Sequence, residues 1–245
     1  MSFAVISGGG TGIGAAVARV LARDGYDMAI VGRRGDVLDK AAAKISALAG
    51  RPGAVTPVVA DLTVPASVDG VAAQLDGRTV DVLVNNAGGY LAQSGDGLDG
   101  VADFWRRNLD ANLLSAVLLT TALQPRLARP GGRVLLLSSI AAQRGGAGPY
   151  SAAKAGLHGW AYDLARELGP DGITVNVVSP GYIANTEFFG GRMTPAGHER
   201  RVAETLVGRA GEPDDIAAAV RWLVGPGGGY VTGQVINVNG GSVLG

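Results

Sequence analysis

Tyr150 and Lys154 stand four positions apart in the run Tyr150-Ser151-Ala152-Ala153-Lys154. On a helix this spacing puts both side chains on one face. A free tyrosine has a pKa near 10 and is a poor base at neutral pH, but an ammonium beside it favours the phenolate. Lowering that pKa by about 2 to 3 is worth roughly 3 to 4 kcal/mol. Such a pair can move protons as a tuned general acid and base. The chain has six tyrosines and only three lysines, Lys40, Lys44 and Lys154. Chance alone supplies about 0.07 pairs at this spacing. Taken singly, the pair is equally compatible with an ordinary helix surface.

A second group of residues suits phosphate. Ser7-Gly8-Gly9-Gly10-Thr11-Gly12-Ile13-Gly14 follows an apolar run and opens a helical pattern. Glycines allow a tight turn and a close backbone approach to a pyrophosphate, and a helix N-terminus adds free N–H groups and positive dipole. In a chain with 40 glycines a glycine turn is often only a turn. Its position between an N-terminal strand and a helix gives it weight. NAD-binding proteins usually carry an acidic residue about 20 positions further on, for the ribose 2′-hydroxyl. Here the run is Ile30-Val31-Gly32-Arg33-Arg34. Two guanidinium forks suit a 2′-phosphate instead. The expectation is NADP(H) over NAD(H), against a solvated arginine pair.

The elements that must position these groups are short apolar runs alternating with helical patterns. The strand candidates are 3–7, 26–31, 55–60, 82–84, 133–138, 173–178 and 234–238. They are continuously apolar, as expected of strands buried on both faces of a parallel sheet. Helical spacing covers 13–23, 37–48, 66–75, 101–128, 150–168 and 214–223. Pro213, Asp214 and Asp215 mark the start of the last helix. This alternation predicts an α/β, doubly wound Rossmann fold, with a mainly parallel seven-stranded sheet and helices on both faces. No linker or repeat interrupts it, so one domain is expected over 1–245. Residues 184–207 break the alternation and hold Phe188, Phe189, Gly190, Gly191 and Met193. A long glycine-containing insert with aromatics predicts a mobile lid, against a surface loop packed on the core.

Composition narrows the function classes. The 21 basic and 21 acidic residues balance, which gives no electrostatic footprint for nucleic acid or a membrane. There is no cysteine, which excludes disulfides, thiolate chemistry and cysteine-ligated metals. His158 and His198 are far apart in sequence and suggest no metal site. The first residues lack a basic-then-apolar leader. The longest apolar stretch, 113–123, contains Ser115, Thr120 and Thr121 and is too short to span a bilayer. A soluble, cytoplasmic protein is expected.

Further motifs follow in order: Asp61-Leu62, Asn85-Asn86-Ala87-Gly88, Asn112, Ser138-Ser139, Tyr150-x3-Lys154, Pro180-Gly181 and Asn239-Gly240-Gly241. From Phe3 to Gly241 the chain resembles the single-domain branch of the short-chain dehydrogenase/reductase family, and its 3-oxoacyl-carrier-protein reductase-like members in particular. The resemblance implies interconversion of a carbonyl and a secondary alcohol by hydride transfer, with Tyr150 as acid/base. Gly8, Gly10, Thr11, Gly12, Ile13 and Gly14 would hold the cofactor's phosphates. Asp61 and Leu62 would meet the adenine; Asn86, Ala87 and Gly88 would line its ribose. Tyr150 and Lys154 would touch the nicotinamide ribose, and Asn112 would hold a water beside Lys154. Ser139 would orient the substrate, although a short stretch before Tyr150 leaves Ser138 as an alternative. Pro180, Gly181 and Ile183 would cover the nicotinamide. Thr186 is displaced by one place, because Asn185 stands where a threonine is expected.

A pocket lined by Tyr90, Leu91, Gln143, Arg144, Tyr182, Phe188, Phe189 and Met193 would suit a small or medium carbonyl or alcohol. A 3-oxoacyl thioester reductase is the narrower alternative. Against a carrier-protein partner, acidic Asp171 precedes Gly172-Ile173-Thr174-Val175-Asn176, where such reductases commonly show a basic residue, although Arg126 and Arg129 could compensate. A non-catalytic NADP(H) sensor would be expected to lose Tyr150 or Lys154. A nucleotide-sugar epimerase would be longer, with differently spaced glycines. The resemblance also implies a homotetramer or homodimer, formed through helices 101–128 and 150–168, with Ala152, Ala153, Ala155 and Gly156 permitting close approach.

Replacing both Arg33 and Arg34 by alanine is expected to raise the KM for NADPH far more than that for NADH. Equal responses in a 340 nm assay would overturn the 2′-phosphate reading.

Overall fold

Phe3 to Ser7 is the first strand, and its side chains alternate between two cores. Phe3 and Val5 pack on one side of the sheet, while Ala4 and Ile6 pack on the other. Successive strand residues point to opposite faces, so a strand covered on both must be apolar throughout. A computed structural model describes residues 2–244, and the first and last residues of the expected 1–245 domain lie outside this range. Seven strands form one sheet: β1 (Phe3–Ser7), β2 (Asp27–Gly32), β3 (Val55–Val59), β4 (Val82–Asn85), β5 (Arg133–Leu137), β6 (Thr174–Pro180) and β7 (Gln234–Val238). Their order is β3-β2-β1-β4-β5-β6-β7, and every pairing is parallel.

Helices α1 (Gly12–Arg23), α2 (Gly35–Leu48) and α9 (Pro213–Val224) cover one face through Val17, Leu21, Leu38, Ile45, Ile216 and Val220. Helices α3 (Pro65–Gln74), α5 (Ser115–Leu123) and α7 (Pro149–Leu168) cover the other. The sheet changes direction of progression between β1 and β4. At such a switch point the connections diverge to opposite faces and leave a crevice at the carboxyl ends of the strands. Among the described residues no helix is long and apolar enough to cross a membrane.

Three expectations change. The helix expected over 101–128 is α4 (Gly97–Leu109), a π-helical turn (Asp110–Leu114), α5, and a short 3-10 turn over Gln124–Arg126. Pro125 removes a backbone donor at that end. The 184–207 insert contains helix α8 (Pro195–Ala203), capped by Thr194, whose hydroxyl accepts from Gly197 N at 3.0 Å. The small residues of α7 do not all face outward. Ala153 is fully buried, and a Cβ on Gly156 would lie 3.0 Å from Leu113 of the same chain.

Candidate active site

The crevice between β1 and β4 begins at the glycine turn. Gly8 and Gly12 have φ of 65° and 51°, a region that L side chains rarely adopt. A Cβ on Gly14 would fall 2.2 Å from the Gly8 carbonyl oxygen and 2.6 Å from Asn86 Nδ2. The turn is tied to the β4 loop. Ser7 Oγ accepts from the backbone N–H groups of Asn86 and Ala87, both at 2.9 Å. Asn86 Nδ2 donates to Ser7 O at 3.0 Å and Gly8 O at 3.2 Å. The Asn86 side chain is thus spent on bracing the turn. Thr11 is the N-cap of α1, so Gly12, Ile13 and Gly14 present the first N–H groups of the helix to the crevice. These features fit a dinucleotide phosphate, because a bare backbone and a helix N-terminus face the space where it would lie.

Arg33 and Arg34, just past β2, are exposed. Arg34 Nη2 lies 2.7 Å from Glu187 Oε2, an ion pair across 153 residues of sequence. Its pKa is raised by this hydrogen bond and by the carboxylate charge. Asp61 follows β3. Its Oδ1 accepts from the Thr63 backbone at 3.0 Å and the Thr63 hydroxyl at 2.7 Å. Those bonds lower its pKa, and Arg33 adds a smaller effect in the same direction. Leu62 is buried, so it supports the loop from below.

Tyr150 sits in the first turn of α7, fixed in its entry by Pro149. Ser139 hydrogen-bonds Tyr150, and its hydroxyl also accepts from Ala141 N at 3.1 Å. Ser138 points the other way. Its hydroxyl donates to Lys154 O at 2.9 Å and pairs with His158 Nε2 at 2.8 Å. Having one proton, it must receive the His158 bond as acceptor. Lys154 Nζ donates to Leu137 O at 2.7 Å and lies 5.8 Å from the centroid of the Tyr150 ring. Asn112, in the π-turn, is also buried. Its Nδ2 donates to Gly89 O at 2.9 Å and Asn108 O at 3.0 Å, while its Oδ1 accepts from Gly89 N at 2.9 Å. A Cβ on Gly88 would lie 2.6 Å from Asn112 Oδ1 and 3.3 Å from Lys154 Nζ. The side chain of Asn112 therefore holds the β4 loop against Lys154. π-turns inside α-helices recur at functional positions of this kind.

Electrostatics overturn one expectation. Burial pushes Tyr150 up to about 12, and its bond with Ser139 offsets this only in part. Burial pushes Lys154 down to about 8. The ammonium does not dominate the tyrosine, because both groups lie out of water and desolvation disfavours each charged form. The cover over Tyr150 is aromatic. Phe188 lies 5.6 Å from it, and Tyr90 lies edge-on at 6.4 Å. Tyr182 packs on Phe189 at 5.5 Å, and its hydroxyl meets His198 Nδ1 at 2.8 Å.

The remaining residues line the same carboxyl edge. Pro180 ends β6, and Gly181 packs so closely on Asn239 that a Cβ would lie 2.7 Å from its Cα. Ile183 is buried and bridges to Gly211. Thr186 faces Gly12. Gln143 is exposed on the short helix α6 (Ala141–Arg144) and touches none of this cluster in the hydrogen bonds seen, whereas its neighbour Arg144 pairs with Glu204 at 2.9 Å. Sequence reasoning missed Glu187, His158 and His198 as contacts, since each partner lies on another element with no shared spacing.

A family described as enoyl-(acyl carrier protein) reductase matches residues 8–242. The short-chain reductase protein NovJ of Streptomyces niveus is 36% identical, with 98% of this chain and 93% of NovJ covered. The 3-oxoacyl-[acyl-carrier-protein] reductase FabG of Chlamydia trachomatis is 33% identical, with 97% and 96% covered. The chain belongs to the short-chain dehydrogenase/reductase family. A short-chain dehydrogenase from Burkholderia cenocepacia, solved in complex with NADP, superposes with a TM-score of 0.87 at 34% identity, covering 98% of this chain and 97% of its own. As a short-chain dehydrogenase/reductase the protein is an oxidoreductase, and its seven-stranded sheet is the fold of that family.

Lys154 carries a cost. Holding the ammonium form in this burial opposes folding by about 3 kcal/mol. That cost is present below about pH 8 and fades as pH rises toward 10, where the ammonium is lost in the folded state first. Lys154→Met is therefore expected to raise Tm at pH 7 by about 6–12 °C, with the gain shrinking between pH 8 and 10. A lower Tm at pH 7 in thermal unfolding would mean that the Leu137 bond outweighs desolvation.

Proposed function

We propose that the protein is an NADP(H)-dependent reductase of a small or medium carbonyl compound, with Tyr150 as acid/base. The observation that carries this is the convergence of Tyr150, Ser139 and Lys154 beside the glycine turn, with Arg33 and Arg34 in place of an acidic residue after β2. The relative from Burkholderia cenocepacia solved with NADP supports the cofactor. The glycine turn and the start of α1 would hold the pyrophosphate, and the two arginines the 2′-phosphate. When bound, the nicotinamide would supply the hydride.

The protein's own residues handle the oxygen and its proton. Ser139 Oγ would hydrogen-bond the carbonyl oxygen, and Tyr150 Oη would donate the proton to it as charge develops. A tyrosine held up at about 12 is protonated throughout the neutral range, which is the form that carbonyl reduction consumes. Lys154 would then stabilise the phenolate left behind, the state in which its charge matters most. Asn112 fixes the β4 loop beside Lys154 and so keeps the ammonium aligned with the tyrosine. Tyr90, Tyr182 and Phe188 would present an apolar wall to the substrate.

An acyl carrier protein is the less favoured partner. Arg129 is spent on Asp171 at 2.9 Å and Arg126 on Asp76 at 2.9 Å. Each of these two guanidiniums is already paired with a carboxylate, which weakens what it offers an acidic carrier.

Tyr150→Phe is expected to lower kcat by about 10²–10⁴-fold and to leave the NADPH Kd within about two-fold, since a single hydroxyl is removed. The measurement is NADPH oxidation at 340 nm against aldehydes, diketones, a 3-oxoacyl thioester, steroids and sugars, with binding measured in parallel. Undiminished turnover on any accepted substrate would remove Tyr150 from the reaction.

A further inference from the structure

Three consecutive residues touch three different parts of the site. Thr186 lies over the glycine turn, where a Cβ on Gly12 would be 3.5 Å from its Cγ2. Glu187 holds Arg34 at 2.7 Å. Phe188 stacks at a tilt against Tyr150, with ring centroids 5.6 Å apart. Asn185, at φ 57°, takes the left-handed conformation that turns the chain into this position. Asparagine is one of the few residues that does so at low cost. Arg192 then fastens the far end, donating to the carbonyls of Phe188 at 3.0 Å and Phe189 at 2.9 Å.

The Glu187 carboxylate and a 2′-phosphate are rivals for one guanidinium. The ion pair is well exposed, 56% on Arg34 and 60% on Glu187. Exposed pairs are weak and easily exchanged. A phosphate carries more charge and three acceptor oxygens, and it binds arginine bidentately. A ribose bearing only a 2′-hydroxyl offers no such exchange.

We propose that Glu187 is a specificity-determining residue that couples recognition of a 2′-phosphate at Arg34 to uncovering of Tyr150. With the pair made, Phe188 covers the tyrosine. A 2′-phosphated cofactor takes Arg34, frees Glu187 and shifts the segment toward the uncovered state. A cofactor without that phosphate leaves the pair intact. Coupling of this kind is reciprocal, so the factor by which opening tightens NADP+ binding equals the factor by which NADP+ favours opening. This inference rests on the reading of Arg34 as a 2′-phosphate ligand.

The test compares wild type, Glu187→Gln, Arg34→Ala and the double variant. Calorimetry measures the Kd for NADP+ and NAD+, and hydrogen exchange follows the backbone of 186–190. Glu187→Gln is expected to tighten NADP+ about two- to five-fold, the scale of one exposed ion pair. NAD+ binding should change by less than about 1.5-fold on the same scale. Exchange in 186–190 without cofactor should quicken about two- to five-fold, because opening is no longer opposed by the pair. In the Arg34→Ala background, Glu187→Gln should do nothing further. If Arg34→Ala selectively weakens NADP+ but Glu187→Gln leaves both NADP+ binding and exchange unchanged, the coupling is wrong and the arginine reading stands. Equal tightening of both cofactors would also overturn it, since Glu187 would then guard the site without reading the phosphate. If Arg34→Ala leaves the ratio of the two Kd values unchanged, the arginine reading itself falls, and the coupling with it.

Discussion

The wedge of Asn86 between Gly8 and Gly14 holds the two halves of the site in register. The β1–α1 turn belongs to the half that would hold a nucleotide, and the β4 loop leads to the π-turn and Lys154. Two donated bonds from Asn86 and two accepted by Ser7 join them. The space is so tight that a Cβ at Gly14 would meet both the Gly8 carbonyl and the Asn86 amide. Glycine is therefore required here by its neighbours inside the protein, quite apart from any ligand. The next link is Asn112, which grips both polar groups of Gly89. Two asparagines thus carry the geometry of the glycine turn across to the lysine.

What the brace positions is energetically unfavourable on its own. Lys154 and Tyr150 lie buried, and each is pushed toward its neutral form. Beneath them, Ser138 and His158 tie the backbone of α7 to β5 at the level of Lys154. Burial lowers the pKa of His158 as well, which disfavours a second charge below the ammonium. A folded protein rarely buries a lysine without a carboxylate partner. Here the compensation is a single backbone carbonyl, that of Leu137. An ammonium with so little local compensation keeps most of its charge available for whatever anion forms above it, including a phenolate.

The sheet was legible because burial on both faces leaves one pattern, continuous Val, Ile and Leu, and seven such runs stood in the chain. The ends were less so. β6 runs on to Pro180, two residues past the apolar run, because Ser179 is fully buried although polar. The helix read over 101–128 hid a change of period at Asp110, which apolar spacing cannot register over five residues. Thr194-Pro195 was a visible start signal for α8, masked by the glycines around it. The positions of Tyr150, Lys154, Ser139 and the glycine turn were readable from motif order. The motif order favoured Ser139 over Ser138, although adjacent residues leaving a strand differ only in direction. The ion pair of Arg34 and Glu187 left no trace at all, because no local rule connects residues 153 positions apart.

That pair changes how the two binding steps relate. A segment whose consecutive residues meet the glycine turn, the arginine and the tyrosine links those contacts, because adjacent Cα atoms are only about 3.8 Å apart. On the proposed coupling, the cover over Tyr150 and the occupancy of Arg34 bias each other. Its weakness is useful. An exposed pair contributes little, so the covered state can keep water from the tyrosine without demanding much of the ligand that opens it. A stronger, buried pair would make the same link but would resist exchange, since breaking it would strand a charge away from water. The aromatic contacts, Phe188 on Tyr150 and Phe189 on Tyr182, are non-directional and re-form against any apolar surface. Specificity in the cover thus rests on one carboxylate, and its adaptability on two rings.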